Sequence, residues 1–322
     1  MPSMIFCQGS EFLSLEDSPL QRGGWIDGPS LLSLYHQPLR LFRLANLYRE
    51  ECSGDEVSFV INRNVNFTNR CVGNCSFCAF RRHDGYFLSE EEILERVEAA
   101  ERVSATEICI QGGLAPGLVL EDYCRILEAV RENYPRMHLH AYSPMEVCYM
   151  SENSGVCPED SIRELQRAGL GSMPGTAAEI LVDRVRREIC PSKLTTDQWR
   201  DVVTTAHSLG VPTTSTMLYG HVERLEDRIR HLLFLREIQA ETGGFTEFVL
   251  LPFLPGNNDL GPRSRRMGHL ENLKMHALAR VALHPLITNI QASWVKLGRE
   301  LAGRTLIWGA NDLGGTDRKS VV

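Results

Sequence analysis

Asn62-Arg63-Asn64-Val65-Asn66-Phe67-Thr68-Asn69-Arg70-Cys71-Val72-Gly73-Asn74-Cys75-Ser76-Phe77-Cys78 is the stretch on which the reading of this chain turns. Its first half reads as the end of a strand expected over residues 57–67. Side chains alternate along a strand, so Asn62, Asn64 and Asn66 fall on one face. A polar row on a buried strand is costly unless something bonds to it, so that face is expected to meet a ligand or a core hydrogen-bond network. The second half carries three cysteines, at spacings of four and three, in the loop that follows the strand directly.

Working outward, strand-like and helix-like stretches alternate. Residues 89–103 read as a helix opened by a Ser89/Glu92 capping box, with Ile93, Leu94, Val97 and Ala100 on one face. Strands are expected at 106–110, 137–142, 170–173, 211–219, 245–251, 288–295 and 305–308. Helices are expected at 121–132, 159–168, 177–189, from Thr195 to Gly210, 223–241 and 269–283. With the first strand this makes eight, and eight alternating units favour an α/β fold in which a parallel sheet closes into a TIM-type (βα)8 barrel. Such a barrel places its chemistry at the C-terminal strand ends. The expected organisation is an N-terminal helical cap over residues 1–56, a barrel over 57–310 and a short tail over 311–322. Turns are expected at Gly23-Gly24 and Gly28-Pro29, and a mobile loop over 256–266.

The chain of 322 residues carries 34 basic and 41 acidic residues, a net charge of −7. That balance does not suit a protein whose main task is holding nucleic acid. No apolar run approaches the roughly 20 residues of a membrane span, and no export signal is evident. A cytoplasmic location is expected, where ten scattered cysteines stay reduced. Three thiolates at the spacing of Cys71, Cys75 and Cys78 can wrap one side of an iron–sulfur cube and leave the fourth iron open. The competing arrangement is a structural zinc site completed by His83.

The cysteine spacing with Phe77 before the third thiol resembles the signature of the radical S-adenosylmethionine (SAM) superfamily. The string from Asn62 through Ala79-Phe80-Arg81-Arg82 resembles the branch of the FO synthases and the futalosine-pathway enzymes. Gln111-Gly112-Gly113-Leu114, His138 to Glu146, Ser172 to Glu179, Met217 to Glu223, Gln291 to Lys296 and Ala310 to Gly315 are similar to the tyrosine-using subunit family of FO synthase. The resemblance spans roughly residues 57–316. It implies a [4Fe-4S] cluster on Cys71, Cys75 and Cys78, with SAM cleaved at its open iron to methionine and a 5'-deoxyadenosyl radical. It implies L-tyrosine cleaved at Cα–Cβ, and a 4-hydroxybenzyl group added to C5 of 5-amino-6-(D-ribitylamino)uracil with 2-iminoacetate released. A companion FO synthase subunit then closes the ring of FO, the chromophore of coenzyme F(420). A low-potential reductant such as ferredoxin or flavodoxin is implied as electron source.

The resemblance places Phe77 on the cluster and beside the SAM adenine, and the Gly112-Gly113 strand end at the SAM amino group. Glu179 follows a turn at the fourth strand's mouth, where a carboxylate could bond the ribose hydroxyls. Tyr219, His221 and Glu223 end the fifth strand, where a His beside a Glu can orient or move a proton. Asn64, Asn66, Trp294, Asn311 and Asp312 are the remaining candidates for the amino-acid and ribityl pocket. His138 and His140 share a face but are not expected to bind metal. The competing activities are aminofutalosine synthase, the cyclic dehypoxanthinyl futalosine cyclase and, in another class, a non-catalytic cluster or zinc scaffold.

Overall fold

A computed structural model describes residues 25–264 and 266–317. The turn expected at Gly23-Gly24 and the last residues of the expected tail lie outside them. Two helices come first, α1 (Gly28–Tyr35) and α2 (Pro38–Ser53), within the segment expected as a helical cap. Asp27 caps α1 by accepting from Ser30 N, and Pro38 opens α2. Their apolar faces, Leu31, Leu34, Leu41 and Tyr48, join the largest core cluster.

The chain then alternates: β1 (Ser58–Val60), β2 (Asn62–Asn66), α3 (Glu90–Glu101), β3 (Glu107–Gln111), α4 (Leu120–Asn133), β4 (His138–Ala141), α5 (Pro144–Ser154) and α6 (Pro158–Ala168). There follow α7 (Asp183–Ile189), α8 (Thr196–Ser208), β5 (Thr213–Tyr219), α9 (Leu225–Thr242), β6 (Phe245–Pro252), α10 (His269–Leu283), β7 (Ile290–Ala292), α11 (Trp294–Leu297), α12 (Arg299–Thr305) and β8 (Asp312–Gly315). The Ser89/Glu92 and Thr195/Gln198 capping boxes are both formed.

Every strand pairing is parallel. One sheet runs β1-β8-β7-β6-β5 and the other β2-β3-β4. Bridges from His140 to Ser172 and from Met173 to Thr213 join them on one side. On the other side β1 and β2 are consecutive segments separated only by Ile61. The first pairs with β8 and the second with β3. The ring therefore has eight places, the fourth held by Ser172 and Met173, and it is a TIM-type barrel. Ile108, Ile110, Leu139, Ala141 and Val65 face the helices in one core cluster, and Met217, Phe248, Leu250 and Ile290 do so in the largest.

Three expectations change. Helix α7 starts at Asp183 rather than near Ala177, because the buried Arg186 guanidinium takes the carbonyls of Ala177, Ala178 and Leu194. Ala177 and Glu179 have positive φ there, 63° and 42°. Residues 305–308 are a helix end and turn instead of a strand, with Trp308 N bonded to Thr305 O and its ring against Phe42. The eighth strand is Asp312–Gly315, inside the segment expected as a tail. This displacement turns Asn311 and Asp312 from the C-terminal end of a last strand to the N-terminal end, the barrel's floor.

There Asn311 is a support. Its Oδ1 accepts from Arg280 Nη2 at 2.6 Å and from Ile290 N at 2.9 Å, and Arg280 is fully buried. Asn311→Ala should cost about 1–3 kcal/mol, the penalty for leaving a buried partner unpaired. Urea denaturation should show the lower midpoint, while iron binding at the opposite end of the barrel stays intact.

Candidate active site

The cysteine loop sits at the C-terminal mouth of the barrel, directly after β2. Phe67 N bonds Gln111 O, Val72 N bonds Leu114 O, and Gly113 N bonds Thr68 O, so the loop rides on the end of β3. This seat demands glycine. A Cβ on Gly113 would lie 2.1 Å from Arg70 O and 2.9 Å from Cys71 Cβ, and one on Gly112 would lie 2.5 Å from the Phe67 ring. The Gly112 N–H is taken by Glu146 Oε1 at 2.9 Å. Glu146 is buried and also caps α5 through Ser143. Burial pushes its carboxyl up, against the pull of those bonds. Glu146 went unread in the sequence, although Ser143 and Glu146 stand at capping-box spacing.

Cys71, Cys75 and Cys78 are free thiols on one loop. Gly73 N donates to Cys71 Sγ at 3.3 Å, and Arg81 Nη1 holds the Gly73 carbonyl. Burial pushes the Cys75 thiol up to about 11, against the pull of Lys193. His83 does not close a fourth position. Its side chain is 100% exposed and faces Asp84 at 3.1 Å. The loop expected to be mobile is anchored here, with Leu260 buried and its N–H on Ser76 O.

Glu179 lies at the same mouth, with its side chain 7% exposed. Lys193 Nζ is 2.7 Å from Oε1 and Arg186 is 3.7 Å away, while Oε2 is buried with no hydrogen-bond partner. Lys193 also lies over the Phe77 ring, 5.3 Å from its centroid. An orphaned acceptor, three free thiols and a glycine edge without room for a side chain fit the residues to a cluster and a polar cofactor.

Below the mouth the lumen is lined with polar groups. Asn62, Asn64 and Asn66 share their strand face with Glu107 on β3, His138 and His140 on β4, Glu247 on β6, Gln291 on β7 and Asp312 on β8. Asn62 donates to Glu107, Gln291 donates to Glu247, and both histidines meet Ser172 Oγ at 2.7 Å. Glu107, His138 and His140 are the described residues whose ligand atoms cluster within 4.8 Å, but the shared Ser172 hydroxyl already occupies a nitrogen of each imidazole. Burial, with Asp312 and Glu107 beside it, pushes the Glu247 carboxyl up to about 8. Glu107 and Glu247 belong to opposite places of the ring, so this interaction crosses the lumen.

Four other candidates stand apart from the lumen. Tyr219 is buried toward the helices and donates to Asn272 Oδ1 on α10 at 2.6 Å. The side chains of His221 and Glu223 are 0% exposed. Glu223 accepts from Gly220 N, His221 N and Arg228 Nε, closing the turn after β5. Burial opposes its charge, yet His221 and Arg228 hold its carboxyl down to about 2. Trp294 swings outside because β7 gives way to α11 at Ser293. Its Nε1 donates to Gly315 O, and it lines a cavity of about 700 Å3 with Phe59, Arg299 and Leu313 on the helix side of β8. Alternation could not separate these, because it says that residues share a face but not which face is inside.

A barrel with such a loop at its mouth is what the radical SAM superfamily uses, and that superfamily's model matches residues 65–235, more than half of the chain. A model described as the CofH/MqnC C-terminal region matches residues 243–320. A 5-amino-6-(D-ribitylamino)uracil–L-tyrosine 4-hydroxyphenyl transferase of Methanosarcina barkeri is 55% identical over 291 residues, covering 89% of this chain and 77% of the relative. One from Archaeoglobus fulgidus is 50% identical over 287 residues, covering 89% and 84%. The chain belongs to this transferase family of the radical SAM superfamily, whose cofactors are a [4Fe-4S] cluster and SAM. Among solved structures, methylornithine synthase (PylB) superposes with a TM-score of 0.73 at 18% identity, covering 94% of this chain and 86% of that one. The hydrogenase maturase HydG of Carboxydothermus hydrogenoformans gives 0.71 at 17%, covering 92% and 68%. At those identities the likeness shows the fold alone. No helix among the described residues is long and apolar enough to cross a membrane.

Two outcomes are expected. Cys71→Ala, Cys75→Ala and Cys78→Ala should each abolish iron binding in anaerobically reconstituted protein, and Cys124→Ala on α4 should not; iron analysis decides. Glu247 is protonated in the fold up to about pH 8 but ionised in the unfolded chain above about pH 4.3. Its contribution to stability therefore falls as pH rises between those values and is level above them. Glu247→Gln should flatten that loss and raise stability at pH 8 by on the order of 1–3 kcal/mol, read by thermal denaturation across pH.

Proposed function

We propose that this chain breaks the Cα–Cβ bond of L-tyrosine and transfers the released 4-hydroxybenzyl group to C5 of 5-amino-6-(D-ribitylamino)uracil. The observation that carries this reading is 55% identity to a transferase of that name over 89% of the chain. When bound, the cluster and SAM supply the radical that takes a hydrogen atom from tyrosine. Cys71, Cys75 and Cys78 hold the cluster. Phe77, Gly112, Gly113 and the Glu179 carboxylate face SAM, Glu179 through Oε2, which accepts no hydrogen bond within the protein.

The lumen binds the two substrates. Uracil, amine and ribityl groups present many donors and acceptors, and a lining of amides, imidazoles and carboxyls matches them. Asn64 and Asn66, on the face nearest the cysteine loop, are the residues we assign to substrate. A buried hydrogen bond adds about 0.5–1.5 kcal/mol, and leaving its partner unpaired costs about 1–3 kcal/mol. Tyr219, His221, Glu223, Asn311 and Trp294 support this lining from outside, and Asp312 belongs to its floor. We further propose a cytoplasmic enzyme that draws electrons from ferredoxin or flavodoxin and hands its adduct to a companion FO synthase subunit.

Reconstituted enzyme given SAM, reductant, tyrosine and the diaminouracil should yield the hydroxybenzylated uracil by mass spectrometry, and no fluorescent FO without the companion. Turnover of a futalosine-type purine substrate in its place would assign the chain to menaquinone synthesis. Asn64→Ala should lower adduct yield about ten-fold while uncoupled SAM cleavage persists.

A further inference from the structure

The segment between α7 and α8 is laced to the cysteine loop. Ser76 N and Oγ both donate to Ile189 O, at 2.8 and 3.1 Å. Asn74 N donates to Ser192 Oγ, which donates back to Asn74 Oδ1 at 2.7 Å. These bonds fix the backbone that leads into Lys193. Its Nζ lies 2.7 Å from Glu179 Oε1 and 5.3 Å from the centroid of Phe77, the residue before Cys78. The side chain is 17% exposed. Among the charges that act on Cys75, Lys193 is the strongest. Arg186, the other buried cation at this mouth, is committed to three backbone carbonyls.

A fixed cation beside an iron–sulfur cluster favours the state with the added electron, and it does so most where solvent is excluded. We propose that Lys193 is the charge that raises the reduction potential of the cluster, and that the lacing of Ile189 and Ser192 to Ser76 and Asn74 holds it in place. Lys193 is thus a positioning residue for electron entry: it makes one-electron reduction by a low-potential donor less uphill. The inference rests on the assignment of the cluster to Cys71, Cys75 and Cys78.

The test is a redox titration of anaerobically reconstituted protein without SAM, followed by the electron paramagnetic resonance of the reduced cluster, with iron measured on the same samples. Lys193→Met should keep its iron and lower the ratio of reduced to oxidised cluster at a fixed potential about ten-fold, or about 59 mV for a one-electron couple. Lys193→Arg should restore most of the ratio. Adding Glu179→Gln to Lys193→Met should bring it part of the way back, because the carboxylate, left with only Arg186 at 3.7 Å, disfavours the electron. A wild-type potential in iron-replete Lys193→Met would overturn the proposal. So would loss of iron from Lys193→Met, which would make Lys193 a strut of the loop. Wild-type protein that binds no iron would instead refute the cluster assignment.

Discussion

The change of partner at Ile61 is the constraint on which the architecture depends. One continuous segment pairs through Ser58–Val60 with β8 and through Asn62–Asn66 with β3, and this closes the ring. Without it the two sheets would each expose an unpaired edge, whose free backbone groups invite pairing with other chains. Closure also fixes the polarity of the molecule. All strands run the same way, so all their C-terminal ends meet at one mouth, and the loop leaving β2 brings its three thiols there.

A closed ring buries whatever faces inward. In an ordinary barrel those layers are branched apolar side chains. Here they are Asn62, Glu107, His140, Glu247, Gln291 and Asp312; Asn62 bonds Glu107, Gln291 bonds Glu247, His140 bonds Ser172 and Asp312 accepts from Ser58. A partly satisfied buried network is costly, and the protonation of Glu247 lowers the repulsion among three carboxyls that share the floor. The floor of the lumen is thus a hydrogen-bonded plug, and the proposed substrate site lies above it, toward Asn64 and Asn66.

The mouth is held by backbone donors and acceptors more than by side-chain packing. Glu146 takes the Gly112 N–H, Glu223 takes two N–H groups after β5, and Arg186 takes two carbonyls before α7 and one after it. Each is a buried charge used to close a turn that regular structure leaves open.

The sequence alone determined the parts whose physics is local. Period-two alternation put the asparagines on one face, capping boxes at Ser89 and Thr195 marked helix starts, and thiol spacing carried the cluster motif, because each depends on neighbours within a few residues. Helix α10 matched its expected bounds for the same reason. The tertiary structure alone decided which face is inside and which strand comes last. Tyr219 and Trp294 went to the helix side, and His221 and Glu223 closed into a turn. Residues 305–308 carry strand-like side chains, yet Asp312–Gly315 took the eighth place, because closure needs the strand whose register meets Gln291 on one side and Ser58 on the other. Lys193 and Glu179 stand fourteen residues apart in sequence. No local pattern links them, and only the packing of α7 and the cysteine loop brings their charges together.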